Sequence, residues 1–486
     1  MKLLIEYLSD YAKTQPDALF AADDGGRALT YSQAWTRARQ VAGRLACGFG
    51  ISRGDRVVVR CMQSVDYLTL CLACNLMGAV FVPIEDKASG DRVLDIVTET
   101  GCSLYVSRAA EEVPVRNALY ADLEGEGELP GEFAFPDPDS VSEILYTTGT
   151  TGKSKGIVIT HRANIALAEN VKYGVAMRRG NVELIPLVMS HSHGLRTFYA
   201  NLLNGSAVII TNGVMIVKRL FRLMDEYGVT SMDLSPSAAQ FMIKLSKDAF
   251  WAKAAKLDYI EIGTAALPEE LKRQLAENLP GVHLYNFYGS TESGRSCVLD
   301  FSVDTGRHKC IGKATRNTEI VFTDEARRVV QATPEQPGLL ASRGPMNMLC
   351  YWQNEALSAR TLIDGYVCTN DMGYFDADGY VYVLGRQDDV INFGGLKISP
   401  SEVEDVVLGY PNVAEAALVG QEDATAGQIP KLYVVPREGA FDIDDFWAFL
   451  NGRVDRAKQP KAVEVLDELP RTFNGKVDRK ALARRK

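Results

Sequence analysis

Several features that mark other kinds of protein are scarce in this chain of 486 residues. Basic residues do not outnumber acidic ones: the formal net charge is −9 and the isoelectric point lies near 5.3. This balance excludes a broad basic surface for nucleic acid or anionic lipid. The nine cysteines have no repeated spacing, which is typical of a reducing compartment and not of a disulfide framework. Anionic ligands must therefore be bound by local pockets.

Long apolar segments are also rare. The longest uncharged run, residues 67–84, is interrupted by Asn75, Gly78 and Pro83, and it predicts a buried helix followed by a strand instead of a membrane span. The N-terminal segment reaches Glu6 and Asp10 before an apolar secretory core develops. We therefore expect a cytoplasmic protein without integral membrane association.

The length and the pattern of the chain predict more than one domain, because a single core rarely exceeds about 250 to 300 residues. Helical and strand patterns alternate from the N-terminus to about Gly263, which indicates an α/β protein with a mainly parallel sheet. From Gly312, short strands and turns predict a barrel-like or antiparallel subdomain. A smaller α+β pattern follows Arg386, so we expect domains at residues 1–387 and 388–486.

One stretch, "YTTGTTGKSKG" at residues 146–156, has the composition of an anion-binding loop. It is not a Walker A loop, because only two residues separate Gly149 from Gly152. Its small residues let backbone N–H groups approach an anion, and its hydroxyls, Lys153 and Lys155 add donors and charge. A surface turn is the alternative. The apolar strand "EILYTTGT" before the loop and the helix "THRANIALAEN" after it favour phosphate binding in a strand–loop–helix unit.

Two further stretches suit a nucleotide. "NFYGSTES", residues 286–293, combines Tyr288 to cover a base, Thr291 to bond a phosphate and Glu292 to hold Mg²⁺. Asp371 and Arg386 flank a hairpin-like segment, where a carboxylate is placed to accept hydrogen bonds from both ribose hydroxyls. Each stretch alone would pass as an ordinary turn.

Lys476 and two histidines are isolated candidates. The C-terminal run "LPRTFNGKVDRKALARRK" has seven basic residues from Arg471 onward and is typical of a solvated tail. Its "NGK" turn nevertheless places Lys476 where a long cation reaches into the cleft of another domain. His191 and His193 in "HSH" have the alternation of a strand. With no carboxylate near them in the sequence, we favour a pocket-wall or core role over a metal site.

Taken in order, "YTTGTTGKSKG", "NFYGSTE", "TND", "GRQDDVINFGGLKISPSEVE" and "LPRTFNGKVDR" resemble the adenylate-forming superfamily of acyl- and aryl-CoA synthetases, peptide-synthetase adenylation domains and firefly luciferase. The resemblance covers nearly the whole chain. It implies a large N-terminal α/β domain of helix-flanked sheets with a small β-barrel subdomain, and a small, mobile α+β C-terminal domain that swings about a hinge at Asp388. It also implies a two-step reaction, in which a carboxylate attacks the α-phosphate of ATP and a thiol then displaces AMP.

The resemblance assigns roles to individual residues. Lys476 would bridge the carboxylate and the α-phosphate, Thr291 would bind the α-phosphate, Glu292 would hold Mg²⁺ and His191 would gate the acid pocket. In the second orientation of the small domain, the glycines of "FGG" would replace Lys476 and leave a path for the thiol. The residues implied to bind ATP and the thiol are Thr147, Thr148, Gly149, Thr150, Thr151, Gly152, Lys153, Lys155, Thr264, Ala265, Asn286, Tyr288, Gly289, Asp371, Arg386, Gly394 and Gly395.

Departures from the pattern of the superfamily bear on the substrate. Asn370 replaces the glycine of the usual Thr-Gly-Asp, and Asn392 stands where many relatives have lysine. The stretch "LVMSHSHGLR" lacks the aspartate that would pair with an amino group, which disfavours amino acids. His193, Arg196 and Arg295 suggest a polar acid or one with a second carboxylate, and a surface or structural ion pair is an equal alternative.

Three functions follow from these observations. The first hypothesis is a stand-alone ligase that transfers the acyl group to coenzyme A. The second is an adenylation enzyme that loads the phosphopantetheine of a separate carrier protein. The third is a nucleotide-binding protein that has lost its chemistry, against which the presence of Lys476 and Glu292 argues. The acid, the pathway and the oligomeric state are not encoded in any motif we recognise.

Overall fold

The computed structural model describes residues 1–125, 127, 134–148, 154–303, 306–423, 425–437, 441–471 and 477–485, with the side chain of Thr148 left out. No helix in these ranges is both long and apolar enough to cross a membrane. The α-helices are α1 Leu4–Thr14, α2 Tyr31–Gly43, α3 Val65–Met77, α4 Gly90–Thr100, α5 His161–Gly174, α6 Ser192–Asn204, α7 Val217–Tyr227, α8 Pro236–Ser246, α9 Asp248–Ala254, α10 Glu269–Asn278, α11 Glu355–Thr361, α12 Pro400–Leu408, α13 Ile443–Leu450 and α14 Arg479–Arg484.

The strands are most numerous in the middle of the chain. They are β1 Leu19–Asp23, β2 Ala28–Thr30, β3 Arg56–Arg60, β4 Val80–Ile84, β5 Leu104–Ser107, β6 Asn117–Leu119, β7 Val141–Thr148, β8 Ser154–Thr160, β9 Val182–Ile185, β10 Ala207–Ile210, β11 Ser231–Leu234, β12 Tyr259–Ile262, β13 His283–Ser290, β14 Gly294–Asp300, β15 Cys310–Ala314, β16 Glu319–Thr323, β17 Val329–Val330, β18 Gly338–Arg343, β19 Cys350–Tyr351, β20 Leu362–Ile363, β21 Tyr366–Phe375, β22 Val381–Arg386, β23 Ile391–Phe393, β24 Leu396–Ile398, β25 Val413–Asp423, β26 Gly427–Pro436 and β27 Ala462–Val465.

Local chemistry explains where several of these elements begin and end. The Thr160 hydroxyl accepts a hydrogen bond from the backbone N–H of Ala163 at 3.1 Å and so caps the start of α5. The uncharged run forms the buried helix α3, which ends at Gly78 in the left-handed region (φ 71°), and β4 follows directly. The predicted helix and strand in this run are therefore confirmed.

Two large sheets form the N-terminal part of the chain. In the first, the strand order is β19-β8-β7-β4-β3-β5-β6, and its central strands are parallel. The second runs from β17 to β2 in the order β17-β16-β18-β21-β22-β15-β14-β13-β12-β11-β9-β10-β1-β2. From β13 to β1 its strands are parallel, as the alternating pattern predicted. From β14 to β17 they are antiparallel, which agrees with the change of pattern after Gly312.

A third sheet belongs to the smaller C-terminal part. Its strand order is β24-β23-β26-β25, with β27 beside β26, and it packs with α12 and α13 around a separate apolar core that extends from Ile391 to Val454. The hydroxyls of Ser399 and Ser401 both donate to the carbonyl oxygen of Leu384, at 3.0 and 2.6 Å, and so attach the start of α12 to β22. The large and small α/β units agree with the expected fold class.

The phosphate-loop region differs from the predicted strand–loop–helix unit. β7 leads into the loop, but the chain returns as β8, which pairs antiparallel with β7 from Val141 to Thr148, and α5 begins only after β8. The reason is the segment "GIVIT", whose β-branched residues fill a strand that is buried between β7 and β19. The predicted helix is present and begins at His161, but an unpredicted strand, β8, separates it from the loop, so the unit is a hairpin followed by a helix.

Candidate active site

The candidate residues gather where the parallel strands of the second sheet end. β9, β11, β12 and β13 run in the same direction, so the segments that follow them meet at one edge of the sheet. These segments carry His191 and His193, then Ser235, then Thr264 and Ala265, and finally Thr291 and Glu292. Ligands of open α/β sheets bind outside the carboxyl ends of the strands, so this edge is the candidate site.

A tyrosine and two charged residues form the part of the site that suits a nucleoside. Asp371 and Arg386 lie opposite each other in the β21–β22 hairpin, with Arg386 Nε 4.0 Å from Asp371 Oδ1. The Tyr288 hydroxyl, at the end of β13, donates a hydrogen bond to Asp371 Oδ2. Burial and the neighbouring Asp371 raise the pKa of Tyr288 well above its usual value, so the phenol remains a donor. The sequence predicted all three residues, and the structure brings them together.

Glu292 and Lys155 form an ion pair next to this group. Lys155 Nζ, at the start of β8, lies 2.6 Å from Glu292 Oε1. Burial alone would raise the pKa of Glu292, but the Lys155 ammonium and two hydrogen bonds outweigh it and hold that pKa below the usual value. Burial alone would lower the pKa of Lys155, but the neighbouring Glu292 carboxylate outweighs this effect and raises that pKa above its usual value. Both groups are therefore ionised at neutral pH.

The donor set at Glu292 fits Mg²⁺. Magnesium is commonly held by one or two carboxylates together with substrate phosphates. The side chains of Lys155 and Tyr351 both donate to Glu292 Oε1, at 2.6 and 2.8 Å. An ionised carboxylate at this edge of the sheet is a donor group that suits this ion.

The remaining nucleotide candidates lie along the same edge. Thr264, with φ 74°, and Ala265 are exposed after β12, and Thr291 is half-buried in the turn between β13 and β14. Position 289 requires glycine, because a Cβ there would lie 1.7 Å from the carbonyl oxygen of Gly294. The Asn286 side chain is buried and donates to the Ile262 carbonyl at 3.1 Å, so in this structure it ties β13 to β12.

Part of the predicted phosphate site lies outside the described residues. This applies to Gly149, Thr150, Thr151, Gly152 and Lys153, to the side chain of Thr148, and to Lys476. Thr147 pairs with Lys155, and the backbone of Thr148 pairs with Ser154. These two pairs place the ends of the loop side by side.

Arg92 is a cation beside this loop that sequence reasoning missed. The Arg92 guanidinium donates to the Ser154 hydroxyl and binds both oxygens of Glu85, at 3.0 and 3.1 Å. A single arginine in an amphipathic helix such as α4 carries no sequence signal of this contact.

The two glycines predicted to line the thiol path form a turn of the C-terminal part. Gly394 and Gly395 connect β23 to β24 with φ values of 58° and 89°, a region that favours glycine. A Cβ at either residue would meet no atom within 4 Å. The turn is therefore open on the side where a side chain would project.

The "HSH" segment is not a strand. His191 is the N-cap residue of α6, and His193 lies in its first turn. His193 Nε2 is 2.7 Å from Asp233 Oδ1, so the expectation that no carboxylate is near it was wrong. Burial, followed by the charge of Arg295, lowers the pKa of His193 well below its usual value, and the contact is that of a neutral imidazole donating to a carboxylate. His193 also packs on Gly263, where a Cβ would lie 2.2 Å from its Cε1.

Asp233 belongs to a buried polar cluster. Arg295 Nη1 lies 2.7 Å from Glu261 Oε2, and the Thr197 hydroxyl is 2.6 Å from Asp233 Oδ2 and 2.8 Å from Glu261 Oε1. His193, Asp233 and Glu261 offer ligand atoms within 4.8 Å of one another, as a metal site would. The guanidinium of Arg295 supplies the positive charge that these carboxylates need, so we interpret the cluster as an ion-pair network.

Arg196 has a similar environment in the neighbouring core. It is 1% exposed, and its Nη2 forms an ion pair with Glu143, which also accepts a hydrogen bond from the Tyr199 hydroxyl at 3.0 Å. Of the two interpretations of Arg196 and Arg295, the structural ion pair therefore agrees with the structure. The sequence did not predict the carboxylate partners of these arginines, because they lie far away in the chain. Their only signal is a single acid within an apolar strand: Asp233 in "MDL", Glu261 in "YIEI" and Glu143 in "SEILY".

The fold and this edge of the sheet are those of a nucleotide-using α/β enzyme. The chain belongs to the AMP-binding enzyme family: the model of that family matches residues 8–352, and the model of the AMP-binding enzyme C-terminal domain matches residues 402–476. The resemblance to the adenylate-forming superfamily is therefore confirmed.

Individual relatives are similar over almost their full length. The chain is 27% identical to the 2-succinylbenzoate–CoA ligase of Bacillus licheniformis, covering 98% of each protein. It is 26% identical to the peroxisomal OPC-8:0-CoA ligase 1 of Arabidopsis thaliana, over 94% of this chain and 88% of that protein. Among solved structures, the o-succinylbenzoate CoA synthetase of Bacillus subtilis, in complex with its acyl-adenylate intermediate, has a TM-score of 0.89 at 24% identity and covers 99% of this chain and 98% of that one. This last likeness confirms the fold class.

Proposed function

We propose that the protein uses ATP to convert a carboxylic acid to an acyl-adenylate and then transfers the acyl group to coenzyme A. One observation carries the proposal: the same edge of the sheet holds the ionised Glu292–Lys155 pair and the Tyr288–Asp371 pair. The similar proteins named above are all CoA ligases, which supports coenzyme A as the thiol. The expected enzyme class, an AMP-forming acid–thiol ligase, is that of these relatives.

The nucleotide would lie along the ends of the strands. Tyr288 with the Thr264–Ala265 segment would flank adenine, and Asp371 with Arg386 would hold the ribose. The loop from Thr147 to Lys155 would bind the β- and γ-phosphates. Magnesium bound at Glu292 would neutralise phosphate charge and stabilise the charge that develops on phosphorus.

The first step joins two anions, and cations must reduce their repulsion. An oxygen of the acid forms a bond to the α-phosphorus while the bond from that phosphorus to pyrophosphate breaks. We assign Lys476 to the carboxylate and α-phosphate oxygens and Thr291 to the α-phosphate. Loss of one such donor lowers the rate about a hundred- to a thousand-fold.

The second step requires a different face of the small domain. The thiol sulfur attacks the acyl carbon and AMP leaves, and the open Gly394–Gly395 turn would line the path of the thiol. We propose that residues 388–486 rotate as a unit about Asp388. Asp388 lies in the short 3₁₀ turn Gln387–Asp389, where the Asn370 amide donates to its Oδ2 at 2.9 Å.

The buried ion pairs bear on the kind of acid, and the cysteines bear on the cellular compartment. Arg196 and Arg295 are neutralised by buried carboxylates, so neither offers the uncompensated charge that a second substrate carboxylate would require. We therefore favour an uncharged tail on the acid, with His191 at the pocket entrance. We place the enzyme in the cytoplasm because none of its nine cysteines forms a disulfide and eight of them are buried or half-buried, although the Arabidopsis relative is named as peroxisomal.

Exchange of labelled pyrophosphate into ATP tests the first step. A panel of aryl, short-, medium- and long-chain acids, dicarboxylic acids and amino acids should give exchange with one class of acid. Absence of exchange with every class would favour a nucleotide-binding protein without this chemistry. With the active acid, faster turnover with coenzyme A than with a phosphopantetheinylated carrier protein would support the ligase, and the reverse order would support the carrier-loading alternative.

A further inference from the structure

Glu292 has a second partner, Tyr351, to which neither the motifs nor the proposed mechanism assigns a role. The Tyr351 hydroxyl donates to Glu292 Oε1 at 2.8 Å and accepts a hydrogen bond from Lys155 Nζ at 3.0 Å. Lys155 Nζ also lies 4.6 Å from the centroid of the Tyr351 ring, within range of a cation–π contact. The three side chains thus form a closed triangle, in which each contacts the other two.

The backbone explains why Tyr351 reaches both residues. β19 pairs antiparallel with β8, with Tyr351 opposite Ile157. Lys155 is two residues from Ile157, so it lies on the same face and diagonally across from Tyr351, a spacing that long side chains bridge. Beside this strand pair, the backbone N–H of Met348 donates to the carbonyl oxygen of Glu292 at 2.8 Å. The segment that ends at Tyr351 therefore holds both the main chain and the side chain of Glu292.

The tyrosine ring is itself held firmly. Tyr351 is 4% exposed and packs in the same apolar cluster as Ile157, Met346 and Met348. Its backbone N–H donates to the Ser358 hydroxyl at 2.9 Å. Few rotamers are open to a ring in such a place, so its hydroxyl is a fixed donor and acceptor.

We propose that Tyr351 is a positioning residue for the magnesium ligand. Its hydroxyl holds the Glu292 carboxylate by Oε1 through a hydrogen bond that is additional to that of Lys155. When the charge of Lys155 is drawn to the phosphates of ATP, the tyrosine keeps the carboxylate oriented. The inference rests on the proposed function, because it presumes that ATP and magnesium bind at this edge.

The test compares ATP affinity with and without magnesium. Tyr351→Phe removes the hydroxyl and keeps the ring. Loss of a hydrogen bond that orients a metal ligand weakens metal binding by about ten- to a hundred-fold. Calorimetric titration should therefore show a drop of about that size in the affinity for magnesium-ATP, with ATP affinity in excess chelator changed less than twofold. The magnesium concentration that half-saturates pyrophosphate exchange should rise by a similar factor.

Tyr366→Phe is the matched control, because the Tyr366 hydroxyl also donates to a glutamate, Glu319, at 2.7 Å. This variant should leave the magnesium dependence unchanged. Incorporation of 4-aminophenylalanine at position 351 restores a donor to the ring and should recover most of the lost affinity. The same variant replaces Tyr351→Phe as the test if phenylalanine impairs folding. A magnesium-ATP affinity near that of the wild type would then support the role of the Tyr351 donor. An affinity lowered tenfold or more would overturn that role.

The outcomes separate the two proposals. If the wild type exchanges pyrophosphate and Tyr351→Phe keeps its magnesium-ATP affinity within twofold, the role of Tyr351 is wrong and the proposed function stands. Equal losses with and without magnesium would indicate a merely structural role and would also overturn the inference. If the wild type binds no magnesium-ATP, both proposals fail.

Discussion

Asp371 is the residue that we propose to hold the ribose. Asp371 Oδ2 accepts a hydrogen bond from the neutral Tyr288 hydroxyl, and Asp371 Oδ1 lies 4.0 Å from Nε of the charged Arg386 guanidinium. These two neighbours orient the carboxylate. Hydrogen bonds to a charged acceptor contribute about 1.5 to 3 kcal/mol each. If the ribose binds here as proposed, its two hydroxyls should gain a substantial interaction that a sugar without them lacks.

We expect Asp371→Asn to weaken ATP binding about tenfold or more, because the amide is a poorer acceptor than the carboxylate. The affinity for 2′,3′-dideoxy-ATP should change less than threefold, since that nucleotide cannot donate to residue 371. Direct binding measurements with both nucleotides check this. Asp376→Asn, in the turn of the same hairpin, controls for altered hairpin stability. Equal losses for both nucleotides would contradict a ribose contact.

At the scale of elements, charged residues within β11, β12 and β14 form a buried cluster: Asp233, Glu261 and Arg295. Burial, opposed by Arg295, raises the pKa of Asp233 to about 6 and that of Glu261 to about 7. Both values lie above those of an unfolded chain, about 4, so folding takes up protons at this cluster. Its contribution to stability is greatest below about pH 4 and falls as the pH rises through 6 and 7.

Arg295→Met tests this element. Removal of one partner from a buried ion pair costs about 3–5 kcal/mol, and here it leaves two carboxylates without a counter-charge. The loss in the free energy of unfolding should be larger at pH 8 than at pH 5, where protonation neutralises the carboxylates. Urea unfolding at both pH values measures it. Arg273→Met removes an exposed arginine that also faces two glutamates and should change stability little at either pH. A loss that is independent of pH would disprove the linkage.

The same elements explain what the sequence could and could not predict. Tyr288, Glu292, Asp371 and Arg386 were predictable because each lies in a contiguous motif with a recognisable composition. The triangle at Tyr351 was not, because it depends on β19 pairing with β8 almost two hundred positions earlier in the chain, at a register that only the folded sheets define. The short "HSH" alternation fits both a strand and the first turn of a helix, and only the packing of α6 decides between them.

At the scale of the whole molecule, several contacts among the described residues tie the smaller C-terminal part to the rest of the chain. Besides the contacts of Ser399 and Ser401 to Leu384, an ion pair joins Lys309 to Asp405 at 3.0 Å. Asn370, where glycine is usual in the superfamily, adds its hydrogen bond to Asp388. The Arg327 guanidinium contacts Asn370 Oδ1 at 3.2 Å and so holds the amide in the orientation that donates.

We expect Asn370→Gly to make the orientation seen here less populated. The contact is partly exposed, so the shift should be only about two- to fivefold. Single-turnover rates of adenylation and of thiol transfer should change in opposite directions if, as proposed, each step uses a different orientation of the small domain. Asn278→Gly, at the end of α10, is the control. Parallel changes in the two rates would refute a role of Asn370 at the hinge.

The second sheet has a consequence for how such an enzyme acquires new substrates. The same hydrogen-bonded sheet contains β11 and β12, which carry the buried polar cluster of Asp233 and Glu261, and β13 and β21, which carry Tyr288 and Asp371. The segments after β9 and β11, by contrast, supply neither the Asp371 nor the Glu292 carboxylate, and neither is proposed to flank adenine. Grafting those two segments from a relative should therefore transfer the choice of acid as a module, while the residues proposed to bind the nucleotide are kept.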